Sequence, residues 1–327
     1  MAPLTNRYEI LFLYECTDCN PNGDPLEENR PRTDPETGVA TVTDVRIKRT
    51  VRDYFLAREP DVEKRVAAGT EVLIRDTEKA DGYLSEGKDR AENFLKYLGA
   101  EKKKDVKRAD FEAAILTRCI DARLFGAALP VGKGEASIQL TGPVQFSAFN
   151  RSLHRVAPVM VQQTAAFAGS AKAMQKSFAE RWLLPYALVA AYGVVNEVAA
   201  RTTGMSPADL DLLVAALWHG TADLNTHSKM GHDPLLLVLA EYAPGHRLGA
   251  LPRRLRLADQ NKTDTALRSA GDYKLDVAAL LDGWKGCAGL TGLKVKQDGR
   301  LRCTSGGVAG GFADLAKKAG VKAEVLA

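Results

Sequence analysis

Residues 15–25, ECTDCNPNGDP, hold three groupings that could each do chemistry. Cys16 and Cys19 have the spacing of half a zinc site. No second Cys-x-x-Cys or spaced histidine pair completes it, and Cys119, Cys287 and Cys303 stand alone. A redox dithiol would open a helix, whereas a long loop follows here, so the pair reads as two small residues where a strand frays. Asp18, Asn20, Asn22 and Gly23 fit the first half of an EF-hand loop, but its closing ligand falls on Asn29 and Pro21 intrudes among the donors. A backbone device remains. Asn and Gly tolerate positive φ and Pro21 fixes its own, so the chain turns sharply. Such a turn presents N–H groups and amides to an anion such as phosphate, or is an ordinary tight turn.

Elsewhere the chemistry is mostly positive charge. At 100° per residue, Ile47, Val51, Tyr54 and Phe55 share one face of a helix, while Arg46, Lys48, Arg49 and Arg52 form a stripe on the other. FNRSLHR adds Arg151, His154 and Arg155, and NTHSKMGHD adds His227, Ser228 and Lys229. His227 and His232 stand too far apart to share a helix face, and no carboxylate motif frames them, so no metal is expected. GAALPVGKG is one residue too long for a Walker loop, and Gly134 stands where Ser or Thr should meet magnesium. No Gly-x-Ser-x-Gly elbow appears, and no cofactor is implied.

These residues need elements to hold them. The 327 residues are 45% hydrophobic with a net charge of +4, enough for a sizeable core but too little charge to establish nucleic-acid binding by itself. The start lacks a signal-peptide core, no apolar run spans a bilayer, and the cysteines are scattered, which together point to a soluble, cytoplasmic protein without a membrane partner. Residues 8–15 read as a buried strand, and residues 43–59 as a helix capped by Thr43 or Asp44. Residues 70–76, TEVLIRD, read as a second strand, and residues 88–122 as helical with a charged interruption. Residues 136–169, studded with Pro, Gly and Ser, suggest a twisted hairpin or extended arm rather than core strands. A strand over 180–198, a helix opened by Ser206-Pro207 and a strand over 234–242 follow. The order strand, helix, strand, strand, helix, strand predicts an α+β, ferredoxin-like (RRM-like) core over residues 1–257. An insertion at about 79–180, helical and then arm-like, interrupts it, and residues 258–327 form an extension packed on the core.

EILFLYECTDCNPNGDPLEENRPR, TVTDVRIKRTVRDYF, DARLFGAALPV, LTGPVQFSAFNRSLHRV and NTHSKMGHDPLLLVLAEY, in this order over residues 7–243, resemble the CRISPR-associated backbone subunit of type I effector complexes (Cascade), most like subtype I-B. That family belongs to the RAMP superfamily, whose core is RRM-like. The resemblance implies copies polymerising head to tail along a CRISPR RNA (crRNA), beside other Cascade subunits, and presenting the guide for pairing with target DNA in antiviral defence. It places Asn20, Asn22, Gly23, Arg46, Lys48, Arg49, Arg52, Thr226, His227, Ser228 and Lys229 along the RNA backbone groove. Arg151 and His154 would lie in or near a thumb-like arm. His232 stands where the pattern expects Gln. Type III relatives cut target RNA with a divalent metal and an Asp in the loop after the first strand. Asp24 occupies such a loop, near Asp18 and Asp44, so a metal-dependent ribonuclease is the alternative. No helix-turn-helix signature points to a DNA-binding regulator.

Overall fold

The first strand's alternation sets the layering. In β1 (Arg7–Cys19), Ile10, Phe12, Tyr14 and Cys16 enter one hydrophobic core, and Leu11 and Leu13 enter another on the opposite face. The computed structural model describes residues 2–77, 90, 93–99, 107–129, 138–165 and 177–326. It is a mixed α+β fold around a nine-stranded sheet. The strands after β1 are β2 (Val39–Thr43), β3 (Val144–Phe146), β4 (Phe149–Arg155), β5 (Val159–Ala165), β6 (Ser177–Val195), β7 (His232–Tyr242), β8 (Leu290–Gln297) and β9 (Ala323–Val325). Their order is β9-β8-β7-β1-β6-β4-β2, with β3 and β5 also paired to β6. The two long central pairings, β1 with β6 and β1 with β7, are antiparallel.

Helices α1 (Asp44–Arg58) and α2 (Pro207–Ala222) cover the first core. Thr43 caps α1, and Ser206 with Asp209 forms a capping box on α2. On the other face lie α3 (Ala278–Lys285) and α4 (Phe312–Lys318), whose Trp284 and Phe312 pack edge-on. The Trp284 indole donates to Tyr242 Oη at 2.7 Å. Both sheet faces therefore carry packed elements.

Three expectations change. Residues 70–76 form one isolated bridge, Glu71 to Cys119, instead of a strand. Asp121 takes the N–H groups of Leu73 and Ile74 (2.7 and 3.1 Å), and Arg90 donates to the carbonyls of Val72 and Leu73 (2.8 and 3.1 Å), so these backbone groups are spent outside a ladder. Secondly, β3 and β4 belong to the main sheet rather than to an arm. The polar residues that suggested an arm complete the ladder, since Asn150 Oδ1 accepts from Tyr192 N (3.0 Å) and Ser152 Oγ from Ala40 N (2.9 Å). Thirdly, β1 continues through Cys19, so the cysteine pair lies within the strand and not at a frayed end. The helical reading of 88–122 falls partly outside the described residues; within them, Leu95–Leu98 is a 3₁₀ turn and Arg108–Arg118 a helix.

Candidate nucleic-acid interface

The turn after β1 is a brace. Asn20 is buried, its Nδ2 donates to the Asn29 carbonyl (2.6 Å), and its backbone N–H donates to Ser228 O (2.9 Å). Asn22 Oδ1 accepts from both N and Oγ1 of Thr43 (2.8 and 2.9 Å), which ties the loop to the cap of α1. Positive φ falls at Asp18, Glu28 and Asn29, not at Asn20, Asn22 or Gly23 as expected. Gly23 is required by crowding instead, because a Cβ there would lie 1.8 Å from Asn29 Oδ1. Asn20 Oδ1 is buried and has no hydrogen-bond partner among the described residues.

The expected stripe on α1 divides. Arg49 is 53% exposed and pairs with Asp53 at 2.6 Å, whereas Lys48 holds Asp44 at 2.9 Å. Arg46 is mostly covered, bonds Thr50 Oγ1 (3.0 Å), and has its basicity lowered chiefly by burial. Arg52 corrects the expectation. It points inward, pairs with the buried Asp121 at 2.9 Å and lies over the Phe125 ring, because Asp121 lies within reach on the neighbouring helix. His154 is a second correction. Its ring is buried, Nε2 accepts from Leu188 N (3.1 Å), Nδ1 lies 2.8 Å from Arg155 O, and Tyr186 stacks on it. A ring that accepts at Nε2 carries its proton on Nδ1 and is neutral, in line with the downward pull of burial on its pKa.

The later loop closes over β1. Lys229 Nζ donates to the Asn20 carbonyl, and burial followed by Arg46 lowers its pKa to about 8. Thr226 is exposed and its carbonyl accepts from Lys229 and Met230 N–H, while Ser228 is half-buried. His227 is exposed and accepts from Arg181 at 2.8 Å. Other groups at this end of the sheet were missed by pattern reading. The Arg30 guanidinium lies 4.7 Å over the Trp182 ring, and Arg32 holds Asp24 at 2.8 Å. Arg30 and Arg32 flank Pro31 in ENRPR, and Arg181-Trp182 begin the recognisable part of β6; a basic–aromatic alternation was the available signal. Arg151 belongs to a separate cleft with Arg247, Arg253 and Arg256, between β4 and the segment after β7. Four arginines and no acid line that cleft. The run HRLGALPRRLR was its signal.

Asp24 is engaged. Besides Arg32, its Oδ1 accepts from Leu26 N at 3.1 Å, and its carbonyl accepts from Glu27 and Asn29 N–H, the bonding of a turn former. Asp44 is held by Lys48. Among the described residues, the group arranged as metal donors is instead Cys16, Cys19 and His232, beneath the same loop.

Residues 6–278 match the family described as CRISPR-associated protein Cas7. The CRISPR-associated protein Cas7 of Haloferax volcanii is 30% identical over 331 residues, covering 92% of this chain and 89% of that protein. A chain of a solved CRISPR RNA-guided surveillance complex, pre-nicking, has a similar fold, with a TM-score of 0.52 and 12% identity over 95% of this chain and 98% of that one.

Proposed function

The chain belongs to the CRISPR-associated Cas7 family, and we propose that it is the crRNA-binding backbone subunit of a type I Cascade complex, most like subtype I-B. In this reading copies assemble head to tail along the guide, contact other Cascade subunits, and present the guide to target DNA in the cytoplasm. No helix among the described residues is long and apolar enough to cross a membrane. The order β7-β1-β6-β4, with α1 and α2 on one face, supports an RRM-like core over residues 1–257. Residues 258–327 are then its extension, and the β5–β6 hairpin the root of the thumb.

The carrying observation is the set of basic groups at the end of β1, where Arg30 lies over the Trp182 ring, Arg181 donates to His227 and Lys229 reaches the Asn20 carbonyl. Cations beside an aromatic face suit a backbone held whatever its sequence, because phosphates attract the cations and any base can stack. Sequence is then read by pairing rather than by the protein.

The test is binding of labelled single-stranded RNAs of unrelated sequence, with magnesium and with EDTA. Equal affinities, a steep loss with salt and intact RNA in both lanes are expected. Trp182→Ala should weaken all of them by about tenfold, within the ~1–3 kcal/mol of a stacked base. Asp24→Asn should leave both affinity and RNA integrity unchanged. Magnesium-dependent cleavage abolished by Asp24→Asn would overturn the reading in favour of the ribonuclease.

A further inference from the structure

Cys16, Cys19 and His232 are 0%, 2% and 4% exposed, and one donor atom of each lies within 4.8 Å of the other two. The backbone is built to bring them there. In a regular strand, residues three apart point to opposite faces. Asp18, with φ of 49°, breaks that alternation, so both cysteines enter the core beneath α1 and α2. Cys16 is paired directly across from His232 in the β1–β7 ladder. Gly231, with φ of 104°, lets the loop press onto β1, where a Cβ would meet Thr17 O at 2.2 Å and the Gly231 carbonyl accepts from Thr17 N–H at 2.9 Å.

The sulfur–nitrogen separation between Cys19 and His232 fits a coordination sphere. Tetrahedral zinc with Zn–S of ~2.3 Å and Zn–N of ~2.0 Å separates sulfur from nitrogen by about 3.5 Å. Cys19 Sγ and His232 Nδ1 are 3.5 Å apart.

We propose that Cys16, Cys19 and His232 form a closed structural site for a zinc-class divalent ion, which fastens the Thr226–Lys229 loop to the end of β1. Thiolate and imidazole donors favour zinc over magnesium or calcium, which take oxygen. Binding releases the two thiol protons to solvent. Nδ1 gives up its hydrogen bond to the Lys229 carbonyl and binds metal, with the ring proton on Nε2. The freed Lys229 carbonyl oxygen completes four-coordination and closes the site. Burial of all three donors suits a structural site, since a catalytic one keeps a position open to substrate. His232 is also the residue that departs from the sequence pattern of the resemblance, and here it is the donor that the two cysteines lacked.

The test uses untagged full-length protein, prepared under reducing conditions with zinc and then dialysed against metal-free buffer. About one zinc per chain should remain, and Cys16→Ser or Cys19→Ser should cut retention at least tenfold. Cobalt(II) added to metal-free protein should show a thiolate charge-transfer band and tetrahedral ligand-field bands, shifted by His232→Gln. Zinc retention no greater than in the Cys16→Ser/Cys19→Ser double variant would overturn the site. So would an octahedral cobalt spectrum, a reading on wild-type protein that holds even where a variant fails to fold. Neither readout involves RNA, so loss of this site and loss of the RNA-binding reading are separate results.

Discussion

His154 in FNRSLHR looks like one more cation facing a polyanion, yet its ring accepts a hydrogen bond from Leu188 N and sits against Tyr186. Proximity to arginines in sequence carries no information about which way an alternating strand points each of them; Arg151 and His154 are three apart on β4 and therefore face opposite sides. Burial lowers the His154 pKa below its ordinary value, opposed by the Arg155 carbonyl and Asp264. The sign follows directly. The unfolded chain takes up a proton as pH falls through about 6.5, while the folded ring resists it, so this contribution is full above that pH and fades below it. Urea midpoints should therefore drop more between pH 7 and pH 5 for the wild-type protein than for His154→Gln. Parallel curves would show that the ring is not a proton-linked element of stability.

Helix α1 shows the same divergence over one element. Its apolar face was legible from periodicity, and Ile47, Val51 and Phe55 are buried as that face requires. The opposite face was not legible as a unit, because a neighbouring helix supplies Asp121 to Arg52 and only tertiary packing could reveal that. The two arginines should separate in experiment. Arg52→Ala strands a carboxylate that is 1% exposed and should destabilise the fold by about 3 kcal/mol, with little change in RNA affinity per folded molecule. Arg49→Ala loses an exposed pair of about 0.5 kcal/mol and should leave the melting temperature nearly unchanged while reducing the salt slope of RNA binding. Thermal melts and salt titrations of both variants decide it, and an Arg52→Ala protein of normal stability would contradict the buried-pair account. The same limit explains TEVLIRD: its β-branched composition favoured a strand, but Asp121 takes the N–H groups of Leu73 and Ile74 and Arg90 the carbonyls of Val72 and Leu73. It explains the cysteines as well, since their third partner lies over two hundred residues away, across the β1–β7 pairing.

At the scale of the whole molecule, covering most of both sheet faces moves the work to the sheet's ends. Helices α1 and α2 cover one face and the segments after β7 pack on much of the other, which leaves a cleft beside β4 as the open part of the sheet among the described residues. Trp182 with Arg30 over its ring lies past the end of β1, where β6 runs on beside β5. The β1–β6 ladder stops at Cys19 and Leu184, while residues 177–183 pair only with β5. That hairpin reaches about 20 Å past the sheet at ~3.3 Å per residue. Val159 and Met160 at its root are 42% and 48% exposed. An arm with apolar residues on one side and a body on the other makes a heterologous contact, which repeats into an open filament instead of closing into a dimer. If copies meet through this arm along a guide, Val159→Asp, at a position opposite Leu183 rather than Trp182, should leave binding to an RNA long enough for one copy unchanged. On longer RNAs the same variant should lose the ladder of successive shifts that wild-type protein gives, and electron microscopy should show isolated particles in place of filaments. An undiminished ladder would place the contact between copies elsewhere on the molecule, while loss of even the first shift would mean that Val159 itself lies against the RNA.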